Sequence, residues 1–269
     1  MNTSPLPPLP VRNPATRPAL TDALRAATAE KATAARDFLT EAVAEFGGAL
    51  TFANSLGAED VVLTDIIFAA RLPIDIFLLD TGRLPAETYV LLAELEARYR
   101  TRLQLFFPDA GAVENYVRAH GINAFYDSVA LRRACCRVRK LDPLQRALAG
   151  RKAWITGLRA AQSPTRDGLA RRETDAGSGL VKLNPLADWS EAEIWAHIRL
   201  RDVPFNALHE RFYPSIGCAP CTRAISLGED LRAGRWWWEA PENKECGLHA
   251  KRTPAMTAAL KHDDDHLAT

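Results

Sequence analysis

The sequence has no long hydrophobic segment and no excess of charge of either sign. No apolar run approaches the roughly 20 residues that a helix needs to cross a bilayer, so we expect no membrane span. The 34 lysine and arginine residues nearly balance the 33 aspartate and glutamate residues. This balance argues against the broadly basic surface that is typical of nucleic-acid-binding proteins. We therefore expect no nucleic-acid partner.

Cysteine is scarce as well, with five residues in a chain of 269. The first twenty residues, MNTSPLPPLPVRNPATRPAL, are rich in proline and contain no apolar core of a secretory signal. Without an export signal we expect a cytoplasmic protein, whose cysteines serve as metal ligands, nucleophiles or buried thiols rather than as disulfides. We interpret residues 1–20 as a disordered arm.

Short apolar segments alternate with amphipathic segments in the following part of the chain. The pattern predicts strands at 49–55, 74–80, 102–107 and 152–158, and helices at 59–72, 85–100 and 189–201. The last helix should begin with a capping box of Ser190 and Glu193. Such alternation predicts one α/β domain, 21–201, in which helices cover both faces of a parallel sheet. The periodicity fades in 202–269, where we expect loops, short helices and a polar tail.

Three polar loops follow predicted strands. The first, NSLGAED (54–60), joins a strand to a helix, where free backbone N–H groups can bind an anion. It lacks the Gly-Lys-Ser/Thr of a nucleoside-triphosphate P-loop. The second is LLDTGRLPAETY (79–90) and the third is ITGLRAAQSPTR (155–166). Because open parallel sheets bind ligands at the carboxyl ends of their strands, we expect these loops to form one site.

Four cysteines occur as two close pairs. Cys135 and Cys136 are adjacent and flanked by basic residues, and Cys218 and Cys221 form a C-x-x-C motif. Four thiolates could hold zinc or an iron–sulfur cluster. Adjacent cysteines fit the usual C-x₂₋₄-C spacing of a zinc site poorly, so the spacing favours a [4Fe–4S] cluster. The flanking cations would offset the negative charge of the thiolates.

The fifth cysteine, Cys246, stands apart in the segment NKECGLH. A thiolate needs cationic surroundings at neutral pH, and Lys244 and His249 could supply them. From the residues alone, a nucleophile and a free surface thiol both remain open.

Taken in order, these motifs resemble those of the assimilatory adenylyl-sulfate reductases. The resemblance rests on SLGAED, LDTGRLPAETY, GLRAAQSPTR, CC followed by RK, GCAPCTRAI and KECGLH, and it covers roughly residues 50–249. The sequence is most similar to the bacterial iron–sulfur members of that family. The resemblance implies an adenine-nucleotide alpha-hydrolase-like fold, similar to that of the PP-loop pyrophosphatases, with a flexible C-terminal segment. This agrees with the alternation of strands and helices.

The resemblance also implies roles for individual residues. Cys246 is expected to be the catalytic cysteine, Lys140 a catalytic lysine that lies near both cluster and substrate, and His249 a further catalytic residue. Cys135, Cys136, Cys218 and Cys221 are expected to hold a [4Fe–4S] cluster. The expected substrate-binding residues are Ser55, Leu56, Gly57, Ala58, Glu59, Asp60, Asp80, Thr81, Gly82, Arg83, Arg159, Arg166, Arg232 and Arg235. The tryptophans at 236–238 are interpreted as packing residues.

The implied activity is thiol-dependent reduction of adenylyl sulfate to sulfite and AMP, through an S-sulfocysteine at Cys246, in assimilatory sulfate reduction and cysteine biosynthesis. The reductant would be thioredoxin or a glutaredoxin-like protein, and a homo-oligomer stays open. One alternative is a phosphoadenylyl-sulfate reductase, whose substrate carries an added 3′-phosphate. A tRNA thiolase is another, although SLGAED lacks the SGGxDS string. The third is a zinc-stabilised nucleotide-binding module without catalysis, which leaves Cys246 unused.

Overall fold

The structure, a computed structural model, describes residues 13–162, 166 and 168–240. Its helices and strands follow each other along most of that range. The helices are α1 (Asp22–Phe46), α2 (Ala58–Ala69), α3 (Ala86–Tyr99), α4 (Ala110–His120), α5 (Val129–Cys136), α6 (Asp142–Leu148) and α7 (Glu191–Arg201). The strands are β1 (Leu50–Ala53), β2 (Asp75–Leu79), β3 (Gln104–Phe106), β4 (Ala153–Ile155), β5 (Arg172–Thr174) and β6 (Val181–Leu183).

The strands described form one six-stranded sheet in the order β3-β2-β1-β4-β6-β5. The predicted α/β architecture is confirmed, and five of the strands run parallel as expected. The edge strand β5 departs from the parallel prediction because it pairs antiparallel with β6. Only a tight turn separates these two strands, with Asp175 N donating to Leu180 O at 2.8 Å. A parallel pairing would need a much longer crossover connection.

Apolar side chains are buried on both faces of the sheet. On one face, residues of β1, β2 and β4 pack with α1, α2 and α7 in the main core, which includes Phe52, Leu39, Val62 and Ile194. On the other face, Phe77 and Trp154 pack against Leu144 and Leu148 of α6. Burial of both faces explains why the strands appear in the sequence as continuous apolar segments rather than as alternating ones.

The helix α7 begins as the sequence predicts. The Ser190 side chain accepts a hydrogen bond from Glu193 N, and the Glu193 carboxylate accepts one from Ser190 N at 2.7 Å. The longest helix, α1, has no counterpart among the predicted elements. Its 25 residues bury only Thr28, Ala35, Leu39 and Ala42, so its apolar face is narrow and rich in alanine.

Part of the predicted N-terminal arm belongs to the folded body. Within 13–20, Thr16 is buried, and Asn13 N donates to Glu210 O at 3.0 Å. The predicted loops and short helices after residue 201 include 3₁₀ turns at Ala207–Arg211 and Ala219–Cys221. Among the described helices, none is both long enough and apolar enough to cross a membrane.

A π-helical turn, Arg137–Leu141, follows α5 directly. It carries the basic residues that come after the adjacent cysteines, including Arg139 and Lys140. The Arg139 side chain is buried and donates to Thr81 O at 2.7 Å. Since π turns are rare and frequently mark functional sites, this turn directs attention to the region between α5 and β2.

Candidate active site

The carboxyl ends of β1, β2 and β4 open into a cleft of about 250 Å³. All three predicted loops contribute to its wall, as the parallel strands require. Segments distant in sequence complete the wall. The predicted site residues that line this cleft are Ser55, Gly57, Ala58, Glu59, Asp60, Thr81, Lys140, Arg159, Arg166, Arg232 and Arg235.

The loop after β1 is held in a fixed shape by its own polar side chains. Asn54 Oδ1 accepts from Leu56 N at 2.7 Å, and Leu56 is in the left-handed region with φ of 60°. The Asp60 carboxylate accepts from both Ser55 N and Ser55 Oγ at 2.6 Å. Leu56, predicted to bind substrate, is instead buried in the core and does not line the cleft. The turn therefore presents the start of α2 to the cleft.

The N-cap residue of α2 is Gly57, which has no side chain to cap the first turn. Free N–H groups at a helix N-terminus form a ready site for an anion. The backbone passes close to this turn at Gly157, just after β4. An added Cβ at Gly157 would overlap the Asp60 carboxylate. The geometry predicted for an anion-binding turn is therefore present.

Two neighbouring carboxyl groups in this loop have opposite pKa shifts. Burial opposes the ionisation of Glu59, but Arg159 contacts it at 2.7 Å and holds its pKa below the usual value. Burial dominates for Asp60 and raises its pKa to about 7, despite the hydrogen bonds from Ser55. Arg159, predicted to bind substrate, therefore also neutralises an acid of the loop.

The second loop connects the cleft to the cysteines. Asp80 Oδ1 accepts from Gly82 N at 2.8 Å and from the Tyr89 hydroxyl at 2.9 Å, which fixes the turn. Thr81 Oγ1 lies 3.2 Å from Cys218 Sγ. Arg83 was expected to bind substrate, yet it lies over the Phe125 ring and lines a separate, smaller cavity. Asp80 and Gly82 shape this turn and do not line the cleft.

The smaller cavity is bordered by all four paired cysteines. Cys135, Cys136, Cys218 and Cys221 line it, and no disulfide joins these four described residues. The basic residues Arg83, Arg132, Arg139, Lys140 and Arg235 also line it. In the described part of the chain, no group of three or more His, Cys, Asp or Glu side chains is arranged to hold a metal ion. The four thiols nevertheless border one cavity beside these cations.

The thiols influence the pKa values of one another. Burial raises the pKa of Cys221 to about 11, and the charge of Cys218 adds to that shift. Burial likewise raises the pKa of Cys135. For Cys218 burial is outweighed by Lys140, by the hydrogen bond with Thr81 and by Arg235, and its pKa is lowered. A bound metal group would favour the ionised form of all four thiols.

Trp236 separates the two cavities and lines both. Its ring is 1% exposed and lies between two guanidinium groups, with Arg235 Cζ at 4.6 Å and Arg132 Cζ at 4.8 Å from the centroid. Its neighbour Trp237 is 39% exposed. The packing role predicted for the tryptophans therefore applies to Trp236, which in addition supports a predicted substrate-binding arginine.

The guanidinium of Arg235 is enclosed on its other side by Gly217. An added Cβ at Gly217 would come within 2.7 Å of Arg235 Nη1 and closer still to Nη2. Sequence reasoning did not identify Gly217, Trp236 or the buried His209 as parts of the site. The only feature of the sequence that could have identified Gly217 is its position directly before the C-x-x-C motif. No local sequence feature identifies Trp236 or His209 as part of the site.

Two predicted catalytic residues, Cys246 and His249, lie outside the described residues, as does Lys244. The third, Lys140, lines both the cleft and the cysteine cavity. Its catalytic role stays a prediction.

The fold and the site together define an α/β protein of the PP-loop-like nucleotide-binding class, with a cysteine-lined cavity beside its ligand cleft. The family described as phosphoadenosine phosphosulfate reductase domain matches residues 49–224. The chain belongs to this family.

Relatives and solved structures agree with that membership. The adenosine 5′-phosphosulfate reductase of Allochromatium vinosum is 61% identical over 218 residues, covering 80% of this chain and 85% of that protein. The protein of the same name from Burkholderia cepacia is 53% identical over 213 residues, covering 79% and 85%. The crystal structure of phosphoadenylyl-sulfate reductase from Candida auris, in a phosphate complex, has a TM-score of 0.61 and 26% identity, covering 77% and 99%. Yeast FAD synthetase, at 17% identity and a TM-score of 0.55, shares the fold.

Gly217→Ala should lower stability, because the added methyl group displaces the buried Arg235 guanidinium. Overpacking of this kind typically costs about 1–3 kcal/mol, or roughly 2–12 °C in the thermal midpoint of a domain of this size. Gly48→Ala is the matched control, since an added Cβ there meets nothing within 4 Å. Equal midpoints for the two variants would contradict the close packing of Arg235.

Asp60→Asn should remove a pH dependence of stability. The pKa of Asp60 rises from 3.8 to about 7 on folding, so between these values the folded chain holds a proton that the unfolded chain has lost. Wild-type stability should therefore fall by up to ~1.4 kcal/mol per pH unit across that window from this group, and level off above it. Relative to wild type, the variant should gain thermal stability from pH 5 to pH 7. A difference that stays constant with pH argues against the shift.

Proposed function

We propose that the chain reduces adenylyl sulfate to sulfite and AMP in assimilatory sulfate reduction. The observation that carries the proposal is the wall shared by the two cavities, where Lys140, Arg235 and Trp236 border both the ligand cleft and the four thiols. Relatives that are 50–61% identical over most of the chain are named adenosine 5′-phosphosulfate reductases.

The cleft has the charge distribution that an adenylyl sulfate needs. Lys140, Arg232 and Arg235 line its wall and suit the phosphosulfate group, whose two anionic centres require cations. The uncapped start of α2 adds backbone N–H groups. The cations are in place before substrate arrives, so they stabilise the charge that develops on the leaving phosphate without reorganising.

The reaction proceeds by nucleophilic attack of the Cys246 thiolate on the sulfur atom of the substrate. An S–S bond forms, the bond between sulfur and the bridging phosphate oxygen breaks, and AMP leaves with that electron pair. The enzyme then carries an S-sulfocysteine. A thiolate of the reductant attacks Cys246 Sγ, sulfite departs, and a mixed disulfide forms. The second thiol of the reductant resolves it, so that one dithiol becomes one disulfide and Cys246 is restored.

The four paired cysteines would hold a [4Fe–4S] cluster in the smaller cavity. Its iron would supply positive charge that keeps four thiols ionised, and it would join α5 to the segment around Cys218. Adjacent cysteines fit the usual C-x₂₋₄-C spacing of a zinc site poorly, which favours the cluster over a single zinc ion. Lys140, Arg235 and Arg139 already lower the pKa of the buried Cys218.

The reductant would be thioredoxin or a glutaredoxin-like protein, because four of the five cysteines are committed to the cluster and Cys246 has no resolving partner in the chain. Such reductants act in the cytoplasm, the compartment proposed for this protein, and the proposal is compatible with a homo-oligomer.

A phosphoadenylyl-sulfate reductase is the second candidate, because the solved relative from Candida auris has that name. Its identity to this chain is 26%, against 61% for the adenosine 5′-phosphosulfate reductase of Allochromatium vinosum. The higher identity favours the substrate without the 3′-phosphate.

Incubation with adenylyl sulfate in the absence of thioredoxin should release about one equivalent of AMP per chain and then stop. Mass spectrometry should find a sulfonate adduct on the peptide that contains Cys246. Cys246→Ser should show neither the adduct nor the AMP, yet it should still bind the nucleotide. Repeated release of sulfite without any thiol would contradict the scheme. A higher kcat/KM for the 3′-phosphorylated substrate would instead favour the second candidate.

Protein purified without oxygen should be brown and contain about four iron atoms per chain, because the four thiols take one [4Fe–4S] cluster. Cys218→Ala should lose iron and colour. Lys140→Ala should keep its iron but turn over at least about tenfold more slowly, since the lysine acts on both cavities. A colourless protein with stoichiometric zinc rules out the cluster. Full activity of Lys140→Ala with a complete cluster would remove Lys140 from the mechanism.

A further inference from the structure

The imidazole of His209 is buried in the wall of the cleft with at least one ring nitrogen unmet in the described part of the chain. The residue is 2% exposed, and neither Nδ1 nor Nε2 makes a well-formed hydrogen bond there, although the Tyr213 main chain approaches one side of the ring. His209 borders the same cleft as the loop before α2. Buried polar groups in folded proteins are almost always hydrogen-bonded. A ring nitrogen that is left unmet in the wall of the cleft therefore indicates a ligand group.

The position of the ring is fixed by its surroundings. His209 N donates to Asn206 O at 3.0 Å, and Asn13 Nδ2 donates to His209 O at 3.1 Å. The ring lies edge-on to Trp195, with centroids 5.2 Å apart and an interplanar angle of 76°. The main chain of His209 is thus held at two points and its ring packs on Trp195, so the ring is preorganised for binding.

The chemistry of the ring selects an uncharged partner. Burial lowers the pKa of His209 to about 4, although Glu59 and the Tyr213 main chain favour the protonated form. At neutral pH the ring therefore offers one N–H donor and one nitrogen acceptor but no charge. Glu59, an ionised acid, lines the same part of the wall. A hydroxyl group fits these neighbours because it can donate to or accept from a neutral ring, whereas a phosphate there would meet no cation from His209.

A nucleotide carries hydroxyl groups of this kind on its ribose. When its 5′ anion contacts Lys140 and Arg235, its two ribose hydroxyls lie on the opposite side of the sugar ring. We propose that His209 hydrogen-bonds a ribose hydroxyl of the bound nucleotide and selects ligands that are unphosphorylated at that position. This inference rests on the proposed function, which supplies the nucleotide.

The test compares the binding of AMP, 2′-deoxy-AMP and 3′-deoxy-AMP to the full chain by calorimetry. Wild type should bind one of the two deoxy analogues about threefold to tenfold more weakly than AMP, the usual effect of one neutral hydrogen bond. His209→Phe should bind AMP as weakly as wild type binds that analogue, and it should no longer distinguish the two. His209→Gln, which keeps a donor and an acceptor, should restore part of the difference.

A stability measurement separates this role from a packing role. His209→Phe keeps an aromatic ring against Trp195 and removes unmet polar atoms, so its thermal midpoint should equal or exceed that of wild type. The matched control is His197→Phe. His197 is buried on α7 and pairs with Asp65 at 3.0 Å, outside the cleft. This control should lower the midpoint and leave the discrimination between AMP and its deoxy analogues unchanged.

The outcomes distinguish this inference from the proposed function. If wild type binds AMP but neither deoxy analogue is weaker, or if His209→Phe discriminates as wild type does, the role of His209 is refuted and the reductase proposal stands. Failure of wild type to bind AMP refutes both. The wild-type comparison decides the question even if a variant does not fold.

Discussion

A buried ion pair, Arg132 with Glu239, is the contact on which the arrangement of the two cavities depends. Arg132 Nε and Nη2 donate to the two carboxylate oxygens at 2.9 and 2.8 Å, and the side chains are 2% and 3% exposed. The pair joins the helix of the adjacent cysteines to the end of the described chain. Trp236 packs on the same guanidinium, so the wall between the thiols and the cleft depends on this pair. Loss of either partner would leave an uncompensated buried charge.

Much of the fold is predictable because its strands are buried on both faces and its loops are polar. The strands β1 to β4, the helices α2, α3 and α7, and the capping box of α7 all lie where the pattern places them, within a few residues. The helix α1 escapes prediction because its apolar face is narrow. The strands β5 and β6 escape prediction because β5 (RET) is polar and largely exposed, β6 (VKL) has a lysine at its centre, and their pairing is a tertiary contact.

The residues of the candidate site also fall into those that local motifs predict and those that only the fold brings together. Cysteine pairs and loop motifs are local strings, so the sequence identifies them, and the structure brings the four paired cysteines and most of the predicted loop residues to two adjoining cavities. Arg83 and Leu56 show the limit of that reasoning, since a motif does not reveal which way each of its side chains points. His209 and Glu59 come from segments 150 positions apart, and only folding shows that they share a wall.

The π-helical turn after α5 has a consequence for how this protein can vary in length. Arg139 contacts the Thr81 carbonyl and Lys140 lines both cavities, because successive residues of a helical turn project in different directions around its axis. Deleting a residue there would rotate every following side chain by about 100° around the axis. An insertion or deletion between Cys136 and Lys140 should therefore turn the following side chains away from the cavities. Substitutions at the exposed positions of nearby loops should not have this effect. The spacing between Cys136 and Lys140, rather than either residue alone, keeps the thiol and the lysine at the same cavity.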